Sequence, residues 1–119
     1  MALVPGLTGE ASLVVVEADT AQAVGSGGLA VLATPRMLAL MEQAAFHAVQ
    51  PHLAAGETTV GTGVEIQHVA ATPLGMRVTA RARLEAVNGR KLRFHVEASD
   101  EQGLIGMGTH ERFVVQAGR

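Results

Sequence analysis

Thr34, Glu42 and His68 stand out in a 119-residue sequence that is otherwise poor in reactive groups, with no Cys, Trp or Tyr. His68 lies in the run EIQHVAATPLG (65–75), where alternating residues point it the same way as neighbouring valines and an isoleucine. Glu42 is the only formally charged residue between Arg36 and Pro51. Thr34 immediately precedes Pro35, at what reads as a helix start. A helix N-terminus offers unpaired N–H groups and partial positive charge to an oxygen gaining negative charge. A carboxylate can activate water, and an imidazole can bind a substrate or shuttle a proton. Together these groups suit acyl transfer to water. Each also has a structural reading, Thr34 as a helix N-cap and His68 as a hydrogen-bonded core residue.

The elements that must carry these residues follow from periodicity. TPRMLALMEQAAFHAVQ (34–50) reads as a helix, with Thr34 at the cap, Pro35 in the first turn and Pro51 beyond the end. Its apolar residues spread around the axis, which predicts an enclosed helix and puts Glu42 in or near the core. From residue 58 the period changes to two. Val60, Thr62, Val64, Ile66, His68 and Ala70 are expected on one face, with Gly61, Gly63, Glu65, Gln67 and Val69 on the other. Residues 76–87 alternate Met76, Val78, Ala80, Ala82, Leu84 and Ala86 against a charged face. Asn88-Gly89 signals a two-residue hairpin, and 90–99 places Leu92, Phe94, Val96 and Ala98 inward. The segment DEQG reads as a turn before a last strand at 104–115. An earlier strand is expected at 11–17, followed by a mobile, Gly-rich connection. The resulting expectation is one α+β domain over 1–119, in which a four-strand meander and the first strand form a curved antiparallel sheet around a single helix.

Composition narrows the function classes. The net charge of −2, with arginines scattered among acids, gives no field that favours nucleic acid. No basic leader precedes an apolar stretch and no window approaches a membrane span, so neither export nor insertion is expected. The absence of cysteine excludes a thiolate nucleophile and suits a reducing cytoplasm. His47, His52, His95 and His110 lack the spacing of a helical zinc pair, so no metal and no cofactor are expected. Arg77, Arg81 and Arg83, and the cluster Arg90, Lys91 and Arg93, read as solvated faces, with the alternative that one of these groups meets the phosphates of a nucleotide-bearing substrate.

Three blocks give the sequence a family likeness: ATPRMLALMEQAAFHAVQPHLAAGE (33–57), VGTGVEIQHVAATPLGMRVTARARLEAVNGRKL (60–92) and GMGTHERFVV (106–115). In this order they resemble the hot-dog-fold acyl-CoA thioesterases, in the branch typified by fluoroacetyl-CoA thioesterase. Thr34, Glu42 and His68 fall at the family's separations of 8 and 26 residues. The resemblance implies a hot-dog fold with about five strands around a central helix, an acyl-CoA substrate, and catalytic roles for Thr34, Glu42 and His68. It further implies a glycine beside the thioester at Gly61 and a substrate-site arginine at Arg112. It also implies a homodimer, with a tetramer left open, in which two helices are backed by one continuous sheet and Glu42 and His68 can come from different subunits.

Two departures bear on specificity and mechanism. Residues 18–33 contain no aromatic, where the branch is expected to carry a longer aromatic lid, so selectivity for a fluorinated acyl group is not implied. Pro35 replaces a more flexible residue and stiffens the helix start. The leading expectation is hydrolysis of a small or medium acyl-CoA thioester. The alternatives are a hydratase or dehydratase acting on enoyl-CoA, for which the Asp-x-x-x-x-His signature is missing, and a non-catalytic acyl-CoA-binding dimer.

Overall fold

In the computed structural model, which describes residues 3–118, strand β1 (Thr8–Val14) leads through a 3-10 turn at Glu17–Asp19 and a short helix α1 (Ala21–Val24) into the long helix α2 (Thr34–Val49). Strands β2 (Glu57–His68), β3 (Arg77–Asn88), β4 (Lys91–Asp100) and β5 (Gly103–Gln116) follow. All pairings are antiparallel, in the order β1-β3-β4-β5-β2. The α+β expectation of a curved sheet against one helix therefore holds, but the four-strand meander does not. Only β3, β4 and β5 form hairpin neighbours, while β2 crosses to the far edge and pairs with β5. Sequence periodicity reports which face a residue shares, not which strand lies beside it.

The sheet's inner face is built by alternation. Val78, Ala80, Ala82 and Leu84 on β3 and Leu92, Phe94, Val96 and Ala98 on β4 are all at most 2% exposed. They meet Met37, Leu40, Met41, Ala44, Ala45, Ala48 and Val49, a stripe of helical period along α2. The helix sits so close to β1 that a side chain at Gly9 would run into the Ala44 carbonyl and the Ala48 backbone. This packing favours β1 and β3 over β2. The expectation of a largely enclosed α2 is thus corrected: its buried stripe faces one half of the sheet, and its flank toward β2 stays open.

Several local expectations shift. The first strand is Thr8–Val14 rather than 11–17, because it runs opposite Arg83 to Arg77 and the chain turns at Glu17. The Gly-rich connection is structured: the Thr20 hydroxyl accepts the Ala23 N–H at 3.2 Å, and Gly25, at φ 90°, ends α1. The hairpin turn falls one residue later than expected, since Asn88 still pairs with Lys91 and Gly89 alone adopts positive φ, at 63°. Ala86 lies beyond a bulge in β3 and is exposed, so it leaves the buried face. Among the described residues no helix is long and apolar enough to cross a membrane.

Candidate active site

On α2, the residues Thr34, Leu38, Glu42 and Phe46 recur every four positions and so form one ridge along the helix flank. A separation of eight residues sets Thr34 and Glu42 about 12 Å apart along the axis. That ridge looks toward β2 and β5. Each end of it meets a different group.

At the helix start, Thr34 Oγ1 and His68 Nδ1 are 2.7 Å apart, although they lie 34 residues apart in sequence. Thr34 is therefore not the cap. Ala33 occupies the cap position, no side chain caps the helix, and Thr34 is the first helical residue. Its hydroxyl is turned to the imidazole instead of the backbone. The expected array of N–H donors is also reduced. Arg36 and Met37 N–H groups both bond the Ala33 carbonyl, Pro35 has none, and Thr34 N–H alone has no partner among the described residues.

His68 Nε2 is buried and unpartnered. Buried polar atoms without partners are uncommon, and the residue that carries this one lines a groove. The groove is about 310 Å³, lined by Ala21, Val31, Leu32, Thr34, His68 and Val69 together with other small residues. Burial lowers the His68 pKa, and the Ala70 backbone opposes this less strongly. The imidazole is thus held neutral, able to receive a proton near neutral pH or to donate one from whichever nitrogen carries it.

Two turns on, Glu42 lies against the backbone of Gly61. A methyl group placed on Gly61 would come within 2.8 Å of Glu42 Oε2, 3.2 Å of His110 Cε1 and 3.5 Å of an Arg112 terminal nitrogen. The absence of a side chain at Gly61 therefore lets three side chains approach the β2 backbone closely. Strict alternation put Gly61 on the face opposite His68. A β-bulge between Gly61 and Gly63 absorbs Thr62 and changes the phase, so Gly61 stands opposite inward-facing Arg112 while Val64 stands opposite inward-facing His110. For the same reason Val60 is 45% exposed and does not join the buried face.

Arg112 is 7% exposed, and each of its three nitrogens makes one hydrogen bond. Its Nε donates to Thr59 Oγ1 at 2.8 Å, Nη2 to the Thr59 carbonyl at 3.0 Å, and Nη1 to His110 Nε2 at 3.2 Å. Burial lowers the Arg112 pKa, and the negative charge of Glu42 works against that loss. Thr59 and His110 were not among the residues that sequence reasoning singled out. His110 becomes recognisable only in the fold, where its strand places it directly opposite inward-facing Phe94, with ring centroids 6.2 Å apart. No hydrogen bond joins Glu42 to His68 among the described residues. A single chain thus holds two separate groups, candidate half-sites: Thr34 with His68, and Glu42 with Gly61, His110 and Arg112.

A long helix packed against a curled five-strand antiparallel sheet is the hot-dog architecture. A hot-dog-like protein from Thermanaerovibrio acidaminovorans superposes with a TM-score of 0.86 at 25% identity, covering 96% of this chain and 84% of that one. Residues 15–118 match the family described as fluoroacetyl-CoA-specific thioesterase, and the chain belongs to that family. The fluoroacetyl-CoA thioesterase of Streptantibioticus cattleyicolor is 47% identical over 85 residues, which span 71% of this chain and about 61% of that relative's length. A crystal structure of a variant fluoroacetyl-CoA-specific thioesterase in complex with fluoroacetate and CoA gives a TM-score of 0.90 at 36% identity, covering 98% of both chains.

Proposed function

We propose that this chain acts as a single-domain acyl-CoA thioesterase that hydrolyses a small or medium acyl-CoA to the free acid and CoA. The observation that carries this reading is the Thr34–His68 contact of 2.7 Å between two residues that both line an open groove, with His68 Nε2 buried and unpartnered. Family membership and the similarity to a thioesterase bound to fluoroacetate and CoA support it. In the reaction, water adds to the thioester carbonyl, the C–S bond breaks, and the CoA thiolate takes up a proton. Glu42 activates the water or attacks directly. Thr34 and His68 position and polarise the thioester, and Gly61 lets the reacting carbon approach the β2 backbone. Arg112 supplies fixed positive charge close to Glu42. The groove's Ala, Val and Leu lining, with no aromatic, fits an aliphatic acyl group and gives no basis for preferring a fluorinated one.

The two half-sites are completed, in this reading, by a homodimer. Val64 on the edge strand β2 stands opposite inward-facing His110 and is still 45% exposed, on the face toward which the helix flank bearing Glu42 is open. A second copy that covers this edge would bury Val64 and bring one subunit's Glu42 toward the other's His68. A cysteine-free chain suits the cytoplasm, where we place it.

The test is hydrolysis of acetyl-, short-branched-, aromatic- and long-chain acyl-CoA, with detection of free thiol. Glu42→Gln or His68→Ala is expected to cut turnover by about 10²- to 10⁴-fold. Unchanged hydrolysis in either variant would reject that residue's role. Water addition to an enoyl-CoA, or tight binding of an ester that stays intact, would replace the hydrolase reading.

A further inference from the structure

We propose that His110 is a positioning residue for this site, a neutral crosslink that pins the β2 bulge and so fixes Gly61 against Glu42. The inference rests on the thioesterase reading above and goes beyond it by giving a role to a buried imidazole outside the Thr34–Glu42–His68 set.

The geometry assigns both ring nitrogens. His110 Nδ1 lies 2.8 Å from the Gly63 carbonyl, which can only accept, so Nδ1 carries the proton. Nε2 lies 3.2 Å from Arg112 Nη1, which can only donate, so Nε2 is the acceptor. With both atoms committed, and the residue only 2% exposed, His110 has no free nitrogen with which to move a proton in the reaction. It acts through what it holds. Gly63 is the far side of the bulge that begins at Gly61, and a bulge is a place where ladder hydrogen bonds are locally lost. The bond from His110 replaces one of them and ties the irregular backbone to β5. The ring is itself clamped by Phe94, with interplanar angle 30°.

The two bonds are not equivalent. Arg112 keeps the two bonds it donates to Thr59 if His110 is lost, whereas His110 supplies the Gly63 carbonyl with a side-chain donor from the neighbouring strand. The bulge should therefore depend on the Nδ1 donor more than Arg112 depends on the Nε2 acceptor. Asn at 110 can place an N–H near the Nδ1 position, and Gln can place an acceptor near Nε2.

The experiment compares His110→Asn, His110→Gln and His110→Phe with wild type and Glu42→Gln in the full chain, by thermal melting and by acyl-CoA hydrolysis per folded protein. The expected order of kcat is wild type, then Asn, then Gln and Phe. Phe should lose about 10- to 100-fold, the scale for a sub-ångström misplacement of a reacting group, with KM within about threefold. Nitrogen-15 NMR of the wild-type imidazoles should show His110 protonated at Nδ1. Protonation at Nε2, or folded variants that keep wild-type kcat while Glu42→Gln is inactive, would overturn the His110 role alone. If Glu42→Gln is itself fully active, the thioesterase reading fails and this inference with it. Should His110→Phe not fold, the Asn-to-Gln order and the tautomer decide the question.

Discussion

Gly61→Ala adds one methyl group, and its consequence can be worked from the surrounding atoms. Gly61 is not among the positive-φ glycines, so the backbone accepts an L residue without conformational strain. The new carbon would lie 2.8 Å from Glu42 Oε2, whereas ordinary contact begins near 3.4 Å, so the carboxylate must yield by about 0.6 Å. Its other neighbours, His110 Cε1 at 3.2 Å and the Arg112 nitrogen at 3.5 Å, belong to buried side chains held by hydrogen bonds and have less room to move. Glu42, at the end of a flexible side chain and half-buried, takes up the displacement. A misplacement of about 1 Å at a reacting group can cost on the order of 10²-fold, so roughly 10- to 100-fold in kcat is expected here. Overpacking in a tight interior costs about 1–3 kcal/mol, and the upper part of that range is not reached when a flexible group moves aside. Free-thiol release from an acyl-CoA and a thermal melt measure the two effects separately. A folded Gly61→Ala protein with wild-type kcat would show that the space beside Gly61 is not used in the reaction.

Thr34→Ala should lower kcat by about 3- to 10-fold, the worth of one neutral hydrogen bond, while Thr34→Ser restores most of it; equal activities for Ala and Ser would remove the hydroxyl from the mechanism. Because burial holds His68 below the usual imidazole value of 6.5, the acid limb of kcat/KM should have its midpoint below that pH, and a limb at or above it would contradict the neutral-imidazole role. Stability has a matching dependence. Burial lowers both His68 and His110, so below pH 6.5 the unfolded chain binds protons first and denaturant midpoints should fall as the pH drops toward the native values. For Asp19, burial alone would raise the pKa, but the Val16 N–H and Arg36, at 2.9 Å, together lower it from 3.8, so its contribution is present above that pH and is lost on further acidification. Val64→Lys on the exposed edge strand should shift the proposed dimer to monomer in light scattering and reduce turnover with it; an unchanged assembly would place the interface elsewhere.

The sequence by itself determined the parts that depend on local periodicity and side-chain type. The start and length of α2, the inward residues of β3 and β4, and the spacing of Thr34, Glu42 and His68 could all be read directly, because a helix or strand fixes which of its own residues share a face; the one-sided burial of α2 could not, since its apolar residues spread around the axis. Family likeness added Gly61 and Arg112. Only the tertiary structure decided that β2 lies beside β5, that Thr34 turns its hydroxyl to His68 instead of capping its helix, and that Gly61 faces Glu42. Each of these depends on pairings between segments distant in sequence, and a single extra residue in a bulge reverses the face assigned by alternation. The same holds for His110, whose position becomes informative only when β5 is laid between β4 and β2.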